Sequence, residues 1–139
     1  MKRLLVDTNV VLDVLLDRQP YAESSTAIWA AAETGAAEGF LAAHAITTIH
    51  YLVQREIGPV KAKQLIGFIL RVFRVATVEG AVIEQALRLP IADFEGAVTA
   101  AAALGSECEY IVTRDPKGFR GSPVRVLAPE AALAILALT

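Results

Sequence analysis

The sequence predicts a three-layer α/β/α sandwich with a central parallel sheet, on three observations. Short strand-like runs alternate with longer helical segments along the chain. The first run, Leu4-Leu5-Val6, is apolar on successive residues, which suits a strand buried on both faces. The 139 residues contain no repeat, linker or low-complexity tail, so one domain spanning 1–139 is expected. Strands that alternate with helices build parallel sheets, because each parallel crossover needs a covering helix.

Each element follows in order. Leu4-Leu5-Val6 ends at Asp7-Thr8-Asn9, and Val10 to Leu16 continues with helical apolar density. Pro20 can open a second helix at its first position and Gly35 can close it. Phe40-Leu41-Ala42 is the next strand. Ile46, Ile49 and Val53 share a helical stripe that Gly58-Pro59 stops. Lys61 to Val72 is amphipathic, with Leu65, Ile69 and Val72 on one stripe. Phe73 to Val78 reads as a strand, and Val82, Ile83, Ala86 and Leu87 as a helix that Pro90 ends. Ala97 to Leu104 is a small-residue helix with Gly105 just past its end, at C′. Tyr110-Ile111-Val112-Thr113 is the clearest strand, β-branched and aromatic. Val124-Arg125-Val126 is the last strand, and Pro129 starts a final helix.

Composition narrows the function. Hydrophobic residues at 55% against 20% charged exclude disorder. A single cysteine, Cys108, excludes an intrachain disulfide framework. A net charge of -2 excludes a nucleic-acid binder that works purely by neutralising phosphates. A nucleic-acid function must therefore rest on a local patch or a bound cation. The apolar stretches Ala97–Leu104 and Ala131–Leu138 fall short of the ~20 residues of a spanning helix. Met1-Lys2-Arg3-Leu4-Leu5-Val6-Asp7 reaches a charge too soon for a signal peptide, so a cytoplasmic protein with no membrane partner is expected. The aliphatic excess, and the segment Ala131 to Leu138 in particular, predicts an apolar surface covered by a partner or by a second copy in a C₂ homodimer.

In open α/β sheets, sites form beyond the carboxyl ends of the strands, where the strand order switches. Asp7 directly follows the first strand and Asp115 follows the clearest one. If those strands are neighbours, two like charges meet in one crevice, and a hard divalent cation with oxygen ligands relieves their repulsion. Mg²⁺ or Mn²⁺ fits best. Each acid also reads as a turn residue, since Asp-Thr-Asn and Asp-Pro are common turn and cap chemistry. Asp93-Phe94-Glu95 precedes the Ala97 helix. There Asp93 serves as N-cap and Glu95 meets the helix dipole, or the pair supplies a third carboxylate to the crevice.

Val6-Asp7-Thr8-Asn9-Val10-Val11-Leu12-Asp13 and Tyr110-Ile111-Val112-Thr113-Arg114-Asp115 resemble the first and last motifs of the PIN domain family. Asp93-Phe94-Glu95-Gly96-Ala97 resembles its third motif, and Ala42 to Glu56 resembles the helix after its second strand. The resemblance runs from about Lys2 to Pro129. It implies a metal-dependent ribonuclease similar to the virulence-associated protein C toxins of toxin–antitoxin pairs, with an RNA substrate and an antitoxin partner. It implies Asp7 and Asp115 as catalytic metal ligands, joined by Asp93 or Glu95, with Asn9, Thr48 and Thr113 orienting the carboxylates. Two departures stand out. Thr48 occupies the place of a common glutamate, and Gly96 that of the third-motif acid. The second leaves open a module that binds RNA or a protein partner without hydrolysis.

Arg18, Arg114 and Lys117 are candidates for RNA phosphates, against a reading as solvated surface. His50 shares the Ile46–Val53 stripe and reads as a packed, hydrogen-bonded core histidine, His44 as a capping or exposed residue. Cys108 reads as a small buried hydrophobe and Trp29 as core or interface. Receiver-like phosphotransfer is disfavoured because no Asp follows the Phe73–Val78 segment. Dehalogenase-like phosphatase chemistry needs a second acid where this chain has Asn9.

Overall fold

A computed structural model describes residues 1–138. It contains the strands β1 (Arg3–Val6), β2 (Glu38–Ala42), β3 (Arg74–Ala76), β4 (Tyr110–Val112) and β5 (Arg125–Leu127). The helices are α1 (Thr8–Leu15), α2 (Ala22–Thr34), α3 (Ala43–Ile57), α4 (Pro59–Val72), α5 (Gly80–Arg88), α6 (Phe94–Gly105) and α7 (Pro129–Ala137). A short 3₁₀ turn at Pro116–Phe119, absent from the sequence reading, follows β4.

All four strand pairings are parallel and the order is β3-β2-β1-β4-β5. The chain moves outward from β1 to β3, then returns to place β4 on the other side of β1. The switch point thus falls between β1 and β4, and both end on the same rim because they run parallel. Successive side chains of β1 feed opposite cores. Leu4 and Val6 pack with α1, α2, α4 and α7 residues such as Val11, Ile28, Ile69 and Ala132. Leu5 packs with the α5 and α6 residues Ala86, Ala100 and Ala103. The three layers are therefore set by the two-residue period of the strands.

Boundaries differ from expectation where capping decides them. Asp7 accepts the Thr8 N–H at 2.9 Å, so α1 starts two residues before Val10. Asp93 caps α6 through the Gly96 N–H at 3.3 Å, and the helix starts at Phe94. Gly35 closes α2 in the left-handed region, φ +83°. Gly105 is the last helical residue rather than C′; the left-handed position falls to Glu107, φ +57°. Among the described residues, no helix is long and apolar enough to cross a membrane.

Trp29 packs edge-on against Phe73, centroids 5.2 Å apart, which is the core role expected of it. Cys108 is buried, and that burial pushes its thiol up to about 12. Iodoacetamide is expected to leave Cys108 unlabelled at neutral pH in the native protein and to label it in urea, read by mass spectrometry. Native-state labelling at the unfolded rate would contradict the packing. Large apolar side chains are exposed on α3 and α4, notably Tyr51, Val60, Phe68 and Leu70. The expected C-terminal patch is smaller, because Ala132 of α7 is buried in the core that includes α2.

Candidate functional site

The site begins where β1 and β4 end. The Asp7 N–H extends the ladder by donating to the Val112 carbonyl at 2.9 Å. The Thr113 hydroxyl, wholly buried, then donates to Asp7 Oδ2 at 2.7 Å and accepts the Asp115 N–H at 3.0 Å. Asn9, the second residue of α1, donates from Nδ2 to Asp7 Oδ2 at 3.4 Å and to Thr113 Oγ1 at 3.3 Å. Its Oδ1 accepts the Arg114 N–H at 3.3 Å. Asn9 and Thr113, two of the three residues read in the sequence as orienting groups, therefore bind Asp7 and the backbone of Asp115 together.

The acids of α6 come to the same rim. Burial holds the Asp7 carboxyl above its ordinary 3.8, the Thr113 hydrogen bond opposes this, and the charges of Glu95 and Asp115 add to the rise. Glu95 moves the other way, below 4.5, chiefly because His44 donates a hydrogen bond to it. His44 Nε2 lies 3.1 Å from Glu95 Oε1, and Thr99 Oγ1 lies 3.3 Å from the same oxygen. Asp93 and Asp115 approach each other across Gly118, whose added Cβ would stand 3.7 Å and 3.3 Å from their Oδ2 atoms.

These directions have opposite consequences. The Asp7 contribution to stability is present below pH 3.8 and is lost as pH rises through its higher folded value. The Glu95 contribution is present above pH 4.5 and is lost as pH falls through its lower folded value. Carboxyl-carbon NMR of the metal-free protein is expected to give an Asp7 midpoint above 3.8 and a Glu95 midpoint below 4.5. An ordinary or depressed Asp7 midpoint would contradict the burial of that side chain.

Position 96 has no room for a carboxylate. A Cβ on Gly96 would sit 2.3 Å from the Gly118 carbonyl oxygen and 3.3 Å from Asp93 Oδ2. The 3₁₀ turn passes directly over the start of α6, so backbone fills the space that a side chain would need. Gly96→Asp is therefore expected to destabilise by about 1–3 kcal/mol in urea unfolding, as overpacking does, and to leave Mn²⁺ affinity no higher. A tighter, undestabilised variant would show that the turn yields freely.

Three sequence readings are corrected. Arg114 does not face the crevice: its Nε and Nη2 form a two-point ion pair with Asp13, Nη2 to Oδ1 at 2.9 Å. Its guanidinium lies 3.8 Å from the Tyr21 ring centroid, so it is not free for RNA phosphates. Thr48 is exposed on α3 and makes no hydrogen bond to the acids among the described residues. His44 is neither a cap nor free; it is half-buried and pairs with Glu95. Its place directly after β2, the neighbour of β1, was the available signal. Arg18 is half-buried and Lys117 exposed. His50 is half-buried as expected, but its Nε2 is buried without a hydrogen-bond partner among the described residues.

The donor set is all oxygen and negatively charged, which is the chemistry a hard divalent cation takes. The charges of Glu95 and Asp115 raise the cost of ionising Asp7, and a cation between them would remove it. As the side chains stand, no three His, Cys, Asp or Glu residues among those described close around one point. The donors fit a cation in kind and need side-chain rotation to close on it.

A sequence model of the PIN domain matches residues 3–117. Comparison with curated protein sequences finds no match. Among solved structures, DNA-bound VapBC from Salmonella typhimurium is similar with TM-score 0.70 and 12% identity, over 93% of this chain and 99% of that one. FitAcB from Neisseria gonorrhoeae gives TM-score 0.63 at 20% identity, over 91% and 98%. VapC20 from Mycobacterium tuberculosis, a Sarcin-Ricin loop cleaving toxin, gives 0.61 at 18% identity, over 78% and 86%. At these identities the likeness is one of fold.

Proposed function

Because the chain belongs to the PIN domain family, we propose that it is a metal-dependent endoribonuclease that hydrolyses RNA phosphodiester bonds and forms the toxin of a toxin–antitoxin pair. The observation that carries this reading is the Thr113 hydroxyl, shared between the Asp7 carboxylate and the Asp115 backbone at the sheet's switch point. Asp7 and Asp115 would hold the ion, with Glu95 or Asp93 as the third acid. Bound Mg²⁺ or Mn²⁺ supplies Lewis acidity, a water of lowered pKa and charge to offset the transition state.

The chain's own residues prepare the site. Thr113 and Asn9 fix the rotamer of Asp7, and the Thr8 N–H holds its second oxygen. Thr113 also fixes the backbone from which Asp115 projects. Asp7 is the sheltered acid, so charge held there acts more strongly than in water, while Asp93, Glu95 and Asp115 stay open to solvent. Lys117 beside Asp115, and Arg18 after α1, supply cations for the RNA backbone. The exposed apolar residues of α3 and α4 offer a surface to a protein partner, an antitoxin or a second copy in a homodimer. A toxin–antitoxin complex of similar fold from Klebsiella pneumoniae supports the antitoxin.

The test is incubation of the purified chain with single-stranded RNA and Mg²⁺ or Mn²⁺. Cleavage that EDTA stops is expected. The closed position 96 favours a second reading, a PIN-fold module that binds RNA or a protein without hydrolysis. RNA binding with no cleavage at saturating Mn²⁺ would establish it.

A further inference from the structure

We propose that His44 is a positioning residue: with Thr99 it holds Glu95 as the third acid of the Asp7–Asp115 crevice, in place of the one that position 96 has no room for. The inference rests on the metal-dependent reading above and concerns which residues complete that site.

Three observations carry it. First, the site lacks an acid at position 96 because the Gly118 carbonyl occupies that space. Second, the two remaining acids of the α6 first turn are committed differently. Asp93 turns back on its own helix, accepting the Gly96 N–H at 3.3 Å. Glu95 turns outward to α3, where His44 Nε2 meets its Oε1 at 3.1 Å and Thr99 Oγ1 meets the same oxygen at 3.3 Å. Third, Glu95 stands one residue from Gly96, which abuts both Asp93 and the Gly118 turn that lies against Asp115, so it starts from the rim of the crevice. Only one oxygen of Glu95, Oε1, is used by His44 and Thr99, so the other remains for a cation.

His44 also explains how this site does without a carboxylate on α3. Thr48 is exposed there and makes no hydrogen bond to the acids. His44, one turn nearer the rim, recruits an acid from α6 instead. Fixing a half-exposed glutamate costs rotamer entropy, and His44, helped by a Thr99 hydroxyl shared between Oε1 and the Glu95 carbonyl, offsets that before any cation binds.

The experiment is Mn²⁺ binding to the full chain, by calorimetry and by loss of the free-ion EPR signal, alongside thermal melts without metal. Outer partners of metal ligands typically govern about 10–100-fold in affinity. Glu95→Gln and His44→Ala are each expected to weaken Mn²⁺ binding at least tenfold. His44→Gln is expected to recover most of it, because the glutamine amide nitrogen reaches the same place as Nε2. Asp93→Asn is expected to weaken binding less than Glu95→Gln. A His44→Ala variant with a lowered melting temperature but unchanged Mn²⁺ affinity overturns the proposal and leaves His44 as an interhelix pin. An Asp93→Asn loss larger than that of Glu95→Gln overturns it too. Mn²⁺ binding independent of His44 refutes this inference alone, whereas a wild-type chain that binds no Mn²⁺ refutes the metal-dependent function as well.

Discussion

Asp7→Asn is expected to lower RNA cleavage at least a hundredfold while leaving the melting temperature of the metal-free protein little changed. The loss is of the order seen when a principal electrostatic stabiliser is removed from an active site. The stability half follows from burial. Desolvation is the largest influence on Asp7, and it opposes the ionised form at neutral pH. Asparagine removes that cost and keeps an oxygen for the Thr8 N–H, but gives up the one that accepts from Thr113 Oγ1 and Asn9 Nδ2, so stability should change little while activity falls. Cleavage that survives the substitution would refute the site assignment, and a drop of more than a few degrees would show that Asp7 is chiefly structural.

Arg114→Ala is expected to cost about 3–5 kcal/mol in urea unfolding, the usual price of leaving a buried charge uncompensated. Asp13 is fully buried, and its carboxylate accepts from Ser25 Oγ at 3.0 Å besides the two Arg114 nitrogens. Ser25 alone cannot satisfy an ionised carboxylate there. The melting temperature should fall by roughly 10–20 °C in a chain of this size. The double variant Asp13→Asn/Arg114→Ala should recover most of the loss, because the stranded charge has gone. A single variant costing less than 1 kcal/mol would mean that water reaches Asp13 readily.

The comparison of these two residues with their sequence readings shows what a single chain of letters exposes. Asp7, Asn9, Thr113 and Asp115 were legible because their roles follow from position at a strand end, a local property. The alternation of elements was equally local, and five strands and seven helices appear in the predicted order, although α2 starts at Ala22 rather than at Pro20 and α3 at Ala43 rather than near Ile46. Arg114 was misread because a guanidinium beside an acidic site looks like a phosphate contact. Only the packing of α1 and α2 reveals that Asp13 and Tyr21 claim it. His44 and Glu95 lie 51 positions apart, and nothing in either neighbourhood announces the other. The starts of α1 and α6 were placed late for a different reason. Asp-Thr-Asn and Asp-Phe-Glu read as turns, and the same side chains that favour turns also cap helices.

The close passage of Gly118 over Gly96 bears on how such a chain changes through descent. With main chain in that slot, a single change to aspartate at position 96 carries a lasting stability cost that only a rebuilt Pro116–Phe119 turn would lift. The contact thus steers any added acid on this rim toward the neighbouring helices.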